Sequence, residues 1–277
     1  MGLQLWYSAT TGIRRKGTTF AELQDIFIDN ITTKFIYEPL ACCQNDDFAI
    51  DVQNLMKELD FDILGVRKDD KTIGYLKRND LTEKDLVEKQ ILPFCIENII
   101  SDSTPMSELL DLLSRNGYVF ILTKNEVTGI VTKADINKPI VRIYLFGLIS
   151  LYELHLNYWI NKLEDIDNLD KLISGNRFQL AQKIFRERQG QNLDLTILEC
   201  LQLCDKKEIL LRNKEFLGKF SYSKTRFKDF LENAEKIRNE LAHSQSSIIA
   251  NLTWHSFTRT INDTKQFLLK SEIEIIQ

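Results

Sequence analysis

Apolar residues recur at helical spacing twice in the first half of the chain, 54 positions apart. Val52, Leu55, Met56 and Leu59 mark one face of a helix over 47–59. Met106, Leu109, Leu110 and Leu113 mark the same face of a second. Thr104 as N-cap and Pro105 in the first turn predict where that second helix starts. Each helix is followed by two short apolar runs around a polar turn. The runs at 63–66 and 72–76 meet through Asp69-Asp70-Lys71, and those at 118–122 and 127–131 meet through Lys124-Asn125-Glu126. Each copy then enters a Gly-x-x-x-x-x-Asp segment, Gly74 to Asp80 and Gly129 to Asp135. The pattern predicts an internal repeat of helix and paired strands over 31–139. Residues 1–30 stand before it, with Thr18 or Thr19 capping a short helix over 20–28.

The pattern changes after residue 139. Pro39, Pro93, Pro105 and Pro139 are all the prolines of the chain, so everything from Ile140 onward is free of the strongest helix breaker. Helices are expected at 140–162, 169–188, 195–212, 224–243 and 254–268, a bundle of about five. The first is apolar on most faces in its first half, as a buried helix is. Its later half carries Glu153, His155 and Asn157, which face either a cleft or the core; a lone histidine there is more often structural. The fold class is therefore α+β: a tandem βαββα-type module over 31–139, then an all-α bundle over 140–277.

Charge sharpens the division. Residues 1–139 carry a net −6 and residues 140–277 a net +2, and the stretch 206–228 alone carries +6. Phe216, Phe220, Tyr222 and Phe227 are interleaved with those cations. Either nucleic-acid bases stack on exposed rings there, or the rings are core and the lysines face water. The five cysteines are odd in number and scattered, which argues against a disulfide framework; Cys200 and Cys204 read as small core residues. No basic segment followed by an apolar run opens the chain, and Trp6 stands where a myristoylation motif needs Ser or Thr. The longest apolar run, 143–152, is too short to span a bilayer. A cytoplasmic protein with no membrane partner is expected.

The densest potential chemistry is Arg238-Asn239-Glu240-Leu241-Ala242-His243, at the end of a long polar helix. A histidine exchanges protons near neutral pH, and an arginine matches phosphate oxygens with a fixed fork of donors. Five positions is about 140° of helix rotation, so the two share no face unless the helix ends near His243 or a second subunit closes the site. Glu240 is expected to point to solvent or to pair with Lys236 or a neighbouring helix. The hexapeptide resembles the R-[N/D/H]-x-x-x-H signature of HEPN domains, a helical family rich in metal-independent ribonucleases. That resemblance implies an endoribonuclease acting by 2′-hydroxyl transesterification in a homodimer. His243 would be the acid or base, Arg238 would stabilise the phosphorane, and Asn239 would orient His243 or the phosphate, with no metal or catalytic cofactor. An ordinary helix end, with Arg238 complementing the dipole, is the plain alternative.

The segment Gly129-Ile130-Val131-Thr132-Lys133-Ala134-Asp135 resembles the G-I-V-T-x-x-D stretch of CBS repeats, which pair into a Bateman module. The resemblance implies an adenine nucleotide (AMP, ADP, ATP or a derived signal) as regulatory ligand. Thr132 would meet phosphate and Asp135 the ribose, with Gly129 and Ile130 in the same segment. The first copy has Lys77 where the threonine belongs and keeps Asp80, so its cleft is either weakened or altered, with Lys77 able to meet a phosphate and Asp80 the ribose. Joined, the two resemblances imply a nucleotide-gated ribonuclease acting on RNA. A non-catalytic CBS-dimer adaptor, or a toxin or defence protein silenced by an antitoxin, stays open beside it.

Overall fold

The computed structural model describes residues 6–7, 14–15, 19–82, 84–191, 196–242 and 247–276. The chain divides into two compact units, one of residues 27–140 and one of residues 1–26 with 141–277. In chain order, strands β1 (Trp6–Tyr7) and β2 (Arg14–Arg15) pair antiparallel, and helix α1 (Phe20–Asp29) follows.

The unit of residues 27–140 is built from the repeat. Strand β3 (Glu38–Pro39) precedes the first copy, which comprises β4 (Cys42–Gln44), α2 (Ala49–Glu58), β5 (Ile63–Lys68) and β6 (Lys71–Lys77). The second copy comprises β7 (Ile99–Ser101), α3 (Met106–Asn116), β8 (Tyr118–Thr123) and β9 (Glu126–Thr132). In each copy the strand before the helix pairs parallel with the first strand after it, which forms a hairpin with the next. Both hairpin turns place two residues at positive φ, Asp69-Asp70 and Lys124-Asn125. That is the twist-compatible two-residue turn, and it lets the strands run one to two residues further than the apolar pattern marks. Each ladder shifts register at the same place in the repeat, between Val66 and Arg67 and between Ile121 and Leu122. Helix α3 starts at Met106, one residue later than expected. The Thr104 carbonyl is occupied by the Thr33 amide and hydroxyl, and Pro105 bridges to Thr32.

The sheets have the orders β4-β5-β6 and β3-β9-β8-β7. The chain before the first repeat thus completes the sheet of the second, with Glu38 opposite Ile130 and Pro39 opposite Gly129. This crossing accounts for Gly129: a Cβ there would sit 2.3 Å from the Tyr37 ring and 3.0 Å from the Glu38 carbonyl. Gly74, its counterpart, is crowded in the same way by Ile91 and the Leu92 carbonyl. Between the two copies, Tyr75 stacks 4.8 Å from Phe120 and its hydroxyl meets that of Tyr118 at 3.2 Å.

The second unit is helical. Helix α4 (Pro139–Leu163) enters it, followed by α5 (Gly175–Gln189), α6 (Leu203–Arg212), α7 (Lys214–Lys219), α8 (Lys224–Ala242) and α9 (Trp254–Ile276). The expected helix over 195–212 is broken. A 3-10 turn at Ile197–Cys200 ends in extended Leu201, and the Asp205 carboxylate caps the Gln202 amide to start α6 afresh. Helix α4 is the one described helix long and apolar enough to cross a membrane, and eleven of its residues, from Val141 to Ile160, are buried. The aromatics of 206–228 are mostly core. Phe216 and Phe220 pack with Trp159 and Phe267, Phe227 packs on Phe216, and Tyr222 is half-buried against Phe227. The cations around them are largely paired, Lys219 with Glu274, Arg226 with Asp263, and Lys207 and Lys228 with Glu232. The exposed stacking platform is therefore not formed, because hydrophobic burial claims those rings.

His155 belongs to this core and not to a cleft. Ser271 Oγ accepts from Trp159 Nε1 at 2.6 Å and lies 2.7 Å from His155 Nδ1. Burial lowers the His155 pKa to about 4. The folded chain refuses a proton that the unfolded chain accepts near pH 6.5. The contribution of His155 is therefore complete above pH 6.5 and falls as the pH drops, by about 3 kcal/mol at pH 4. His155→Leu is expected to flatten that part of the curve. Urea titrations followed by tryptophan fluorescence check it, since Trp6, Trp159 and Trp254 all lie in the helical unit. An unchanged pH slope would show that His155 is not the group responsible.

Candidate functional site

A cleft of about 600 Å³ opens in the unit of residues 27–140. Its walls come from four places in the sequence. Glu38 to Ala41 lead in from β3, Asp60 to Ile63 follow α2, Gly117 and Tyr118 start β8, and Ile130 with Thr132 to Asp135 end β9. Ile130, Thr132 and Asp135 are thus brought together as the sequence suggested. Gly129 sits at the β3 crossing, and neither Lys77 nor Asp80 lines this cleft.

The local fold at Thr132 is a cap. Strand β9 ends there and a 3-10 turn, Lys133–Asn137, begins. Asp135 Oδ2 accepts from the Thr132 amide at 2.7 Å and from its hydroxyl at 3.0 Å, and the hydroxyl oxygen accepts from the Ala134 amide at 3.3 Å. Asp135 is 8% exposed. Its other oxygen, Oδ1, lies 2.9 Å from Lys138 Nζ, which also reaches Glu38 Oε1 at 2.6 Å and donates to the Ile36 carbonyl. Burial pulls the Lys138 ammonium down, and its bonds to Glu38 and Asp135 outweigh that, leaving its pKa above the ordinary lysine range.

The first copy is held differently. Without a threonine, Lys77 offers no side-chain cap to the turn Arg78–Asp80, and its ammonium lies 5.8 Å from the centre of the Tyr118 ring. Arg78 does the tethering instead, with Asp60 at 3.0 Å and Asp62 at 2.6 Å, while Asp80 is exposed. Sequence reasoning missed Glu38, Asp60, Asp62 and Lys138. The available signals were the acidic pair after α2 and the lysine three places beyond Asp135, but neither is in the motif.

Residues 94–142 match the model of the CBS domain family. This segment is a CBS domain. It begins just before β7 and ends in the first turn of α4, so it holds the whole second copy and the capped Thr132–Asp135 turn. No curated protein matches the chain. Solved structures similar to it include the CBS-pair protein CBSX2 from Arabidopsis thaliana, at 18% identity over 40% of this chain and 95% of that one, with a TM-score of 0.36. CBSX2 in complex with AMP gives 17%, 40%, 97% and 0.36. The CBS domains of a transcriptional regulator from Streptococcus pneumoniae give 16%, 39%, 98% and 0.34.

Outside the CBS domain, the helical unit gathers charge at the second candidate. Arg238, in the last turns of α8, places Nε 3.5 Å from Glu153 Oε1 of α4, and its Nη1 donates to Asn239 Oδ1 at 3.3 Å. The other oxygen of Glu153 lies 3.8 Å from Lys206 Nζ of α6. The Lys206 side chain is 3% exposed. Burial lowers the pKa of its ammonium, Glu153 resists that, and the nearby Arg238 adds to it. Glu240 does not point to solvent or to Lys236. It is buried, and Oε1 accepts from Asn251 Nδ2 at 2.6 Å, because its helix face turns toward the segment before α9. Arg142 donates to the Glu240 carbonyl. His243 lies outside the described residues, so no geometry links it to Arg238. Among the described residues, no group of three or more His, Cys, Asp or Glu is placed to hold a metal ion.

Proposed function

We propose that the CBS-containing unit binds an adenine nucleotide, AMP, ADP or ATP, as a regulatory ligand. The carrying observation is the Asp135 carboxylate, fixed by the Thr132 cap in the wall of a cleft of about 600 Å³. That size suits a nucleotide. Phe61, Ile63 and Ile130 supply an apolar wall for a base, and the carboxylate supplies acceptors for ribose hydroxyls. Asp135→Asn keeps the volume but replaces one acceptor with a donor. It is expected to weaken AMP binding by about tenfold or more. Calorimetric titration of the full chain, with circular dichroism to show an intact fold, checks this. Equal affinities for the two proteins would remove Asp135 from the site, and no binding by the wild type would end the proposal.

A second reading concerns the helical unit, and the convergence of Glu153, Lys206 and Arg238 favours it. The chain is a metal-independent endoribonuclease of HEPN type, using Arg238, Asn239 and His243 on RNA. It works as a homodimer whose shared cleft is gated by the nucleotide. Such gating requires the nucleotide to bind one arrangement of the dimer more tightly than the other. The same residues in an adaptor, or in a toxin held by an antitoxin, would leave the nucleotide reading untouched.

A further inference from the structure

Asp135 is nearly saturated before any ligand arrives. A carboxylate offers about four acceptor positions. Three are filled, by the Thr132 amide, the Thr132 hydroxyl and the Lys138 ammonium. A ribose presents two vicinal hydroxyls, so at least one internal donor must leave. The amide is fixed by the backbone at the end of β9. The two donors free to move are a hydroxyl, by rotation about χ1, and an ammonium on a flexible stem. Both are good phosphate ligands, and neither has a new partner if the ligand carries no phosphate.

We infer that Lys138, which stands behind the lining residues Glu38 and Asp135, is a specificity residue of this cleft: it holds an acceptor of Asp135 in the empty protein and turns to the ligand's phosphate when ribose takes its place. The inference rests on the nucleotide reading above. It makes the phosphate decisive for affinity, because a nucleoside displaces Lys138 from Asp135 and gives it nothing in exchange, leaving it only Glu38 and the Ile36 carbonyl. Lys138 is also the last residue before α4, so its change of partner falls at the point where the chain leaves the CBS unit.

The test is the ratio of AMP to adenosine affinity in the full chain, by calorimetry, for wild type, Lys138→Met and Lys138→Arg. Using a ratio cancels any general loosening of the cleft. Wild type is expected to bind AMP about tenfold or more tighter than adenosine. In Lys138→Met the two affinities should come within about threefold, with AMP weaker and adenosine equal or tighter. Lys138→Arg should keep the preference. A ratio unchanged in Lys138→Met, with Asp135→Asn still impaired, overturns the role of Lys138 and leaves the nucleotide reading standing. Loss of both ligands in Lys138→Met also overturns it, since adenosine has no phosphate to miss. A wild type that binds neither compound overturns both.

Discussion

Arg238→Ala is expected to lower RNA cleavage by about 100-fold or more, with the fold intact. Removing one preorganised donor to a developing oxyanion typically costs that much. The geometry suits the role. The side chain is 44% exposed, so it reaches solvent, yet its Nε edge is turned toward Glu153 and Nη1 is steadied by Asn239. A guanidinium held by one edge keeps donors on the other for a phosphate. Arg238→Lys should fall between the two, because it keeps the charge and loses the fork. The measurement is cleavage of labelled RNA in the presence of EDTA, with end-group analysis for a 2′,3′-cyclic phosphate. If Arg238 is only a cation near the end of α8 paired with Glu153, its loss changes stability by about 0.5 kcal/mol and leaves any cleavage as it was. Cleavage that survives the substitution would end the ribonuclease reading of this helix.

Local regularities made much of the fold legible. The two helices of the repeat, the two hairpins and the polar turns follow from side-chain period and turn residues, and all lie within a residue or two of where the pattern puts them. The long-range pairing of β3 with β9 was not legible. It joins positions about ninety residues apart in a two-residue strand containing a proline. That pairing brings Glu38 to the cleft, so half of the Lys138 cage was hidden with it. The Thr132 cap was visible as a motif, but the motif says what a ligand would touch and not what already touches Asp135. In the helical unit, periodicity found most of the helices but not α7, the later start of α5 at Gly175, the extension of α9 to Ile276, or the break at Leu201-Gln202, where a capping carboxylate outweighs apolar continuity. The stretch 206–228 was ambiguous because its composition suits a nucleic-acid surface and a core equally well. Only packing against Trp159 and Phe267 decides it. Glu240 was misplaced for a related reason: a glutamate on a polar helix is usually solvated, and its burial depends on the chain around Asn251, far outside any local window.

Glu153→Ala is expected to destabilise the helical unit by about 3 kcal/mol, whereas Lys206→Met should be neutral or stabilising by about 1 kcal/mol. The asymmetry follows from burial. Lys206 is nearly inaccessible, its nearest carboxylate is 3.8 Å away, and Arg238 repels it. An ammonium so placed loses hydration that a long ion pair does not replace. Removing Glu153 leaves that charge uncompensated, while Lys206→Met removes the poorly solvated charge, fills its space with a thioether of similar length and leaves Glu153 its pairing with Arg238. The double substitution should therefore resemble Lys206→Met and not the sum of the two. Titration adds a second signature. With its pKa held below the unfolded value, Lys206 binds its proton less readily in the folded chain than in the unfolded one. Stability should then rise with pH between the lowered folded pKa and 10.5, and Glu153→Ala should steepen and widen that rise. Urea midpoints followed by tryptophan fluorescence across alkaline pH supply both numbers. A Lys206→Met protein as unstable as Glu153→Ala would mean that the ammonium is a net stabiliser. If instead methionine is tolerated, the fold has no need of the lysine's charge.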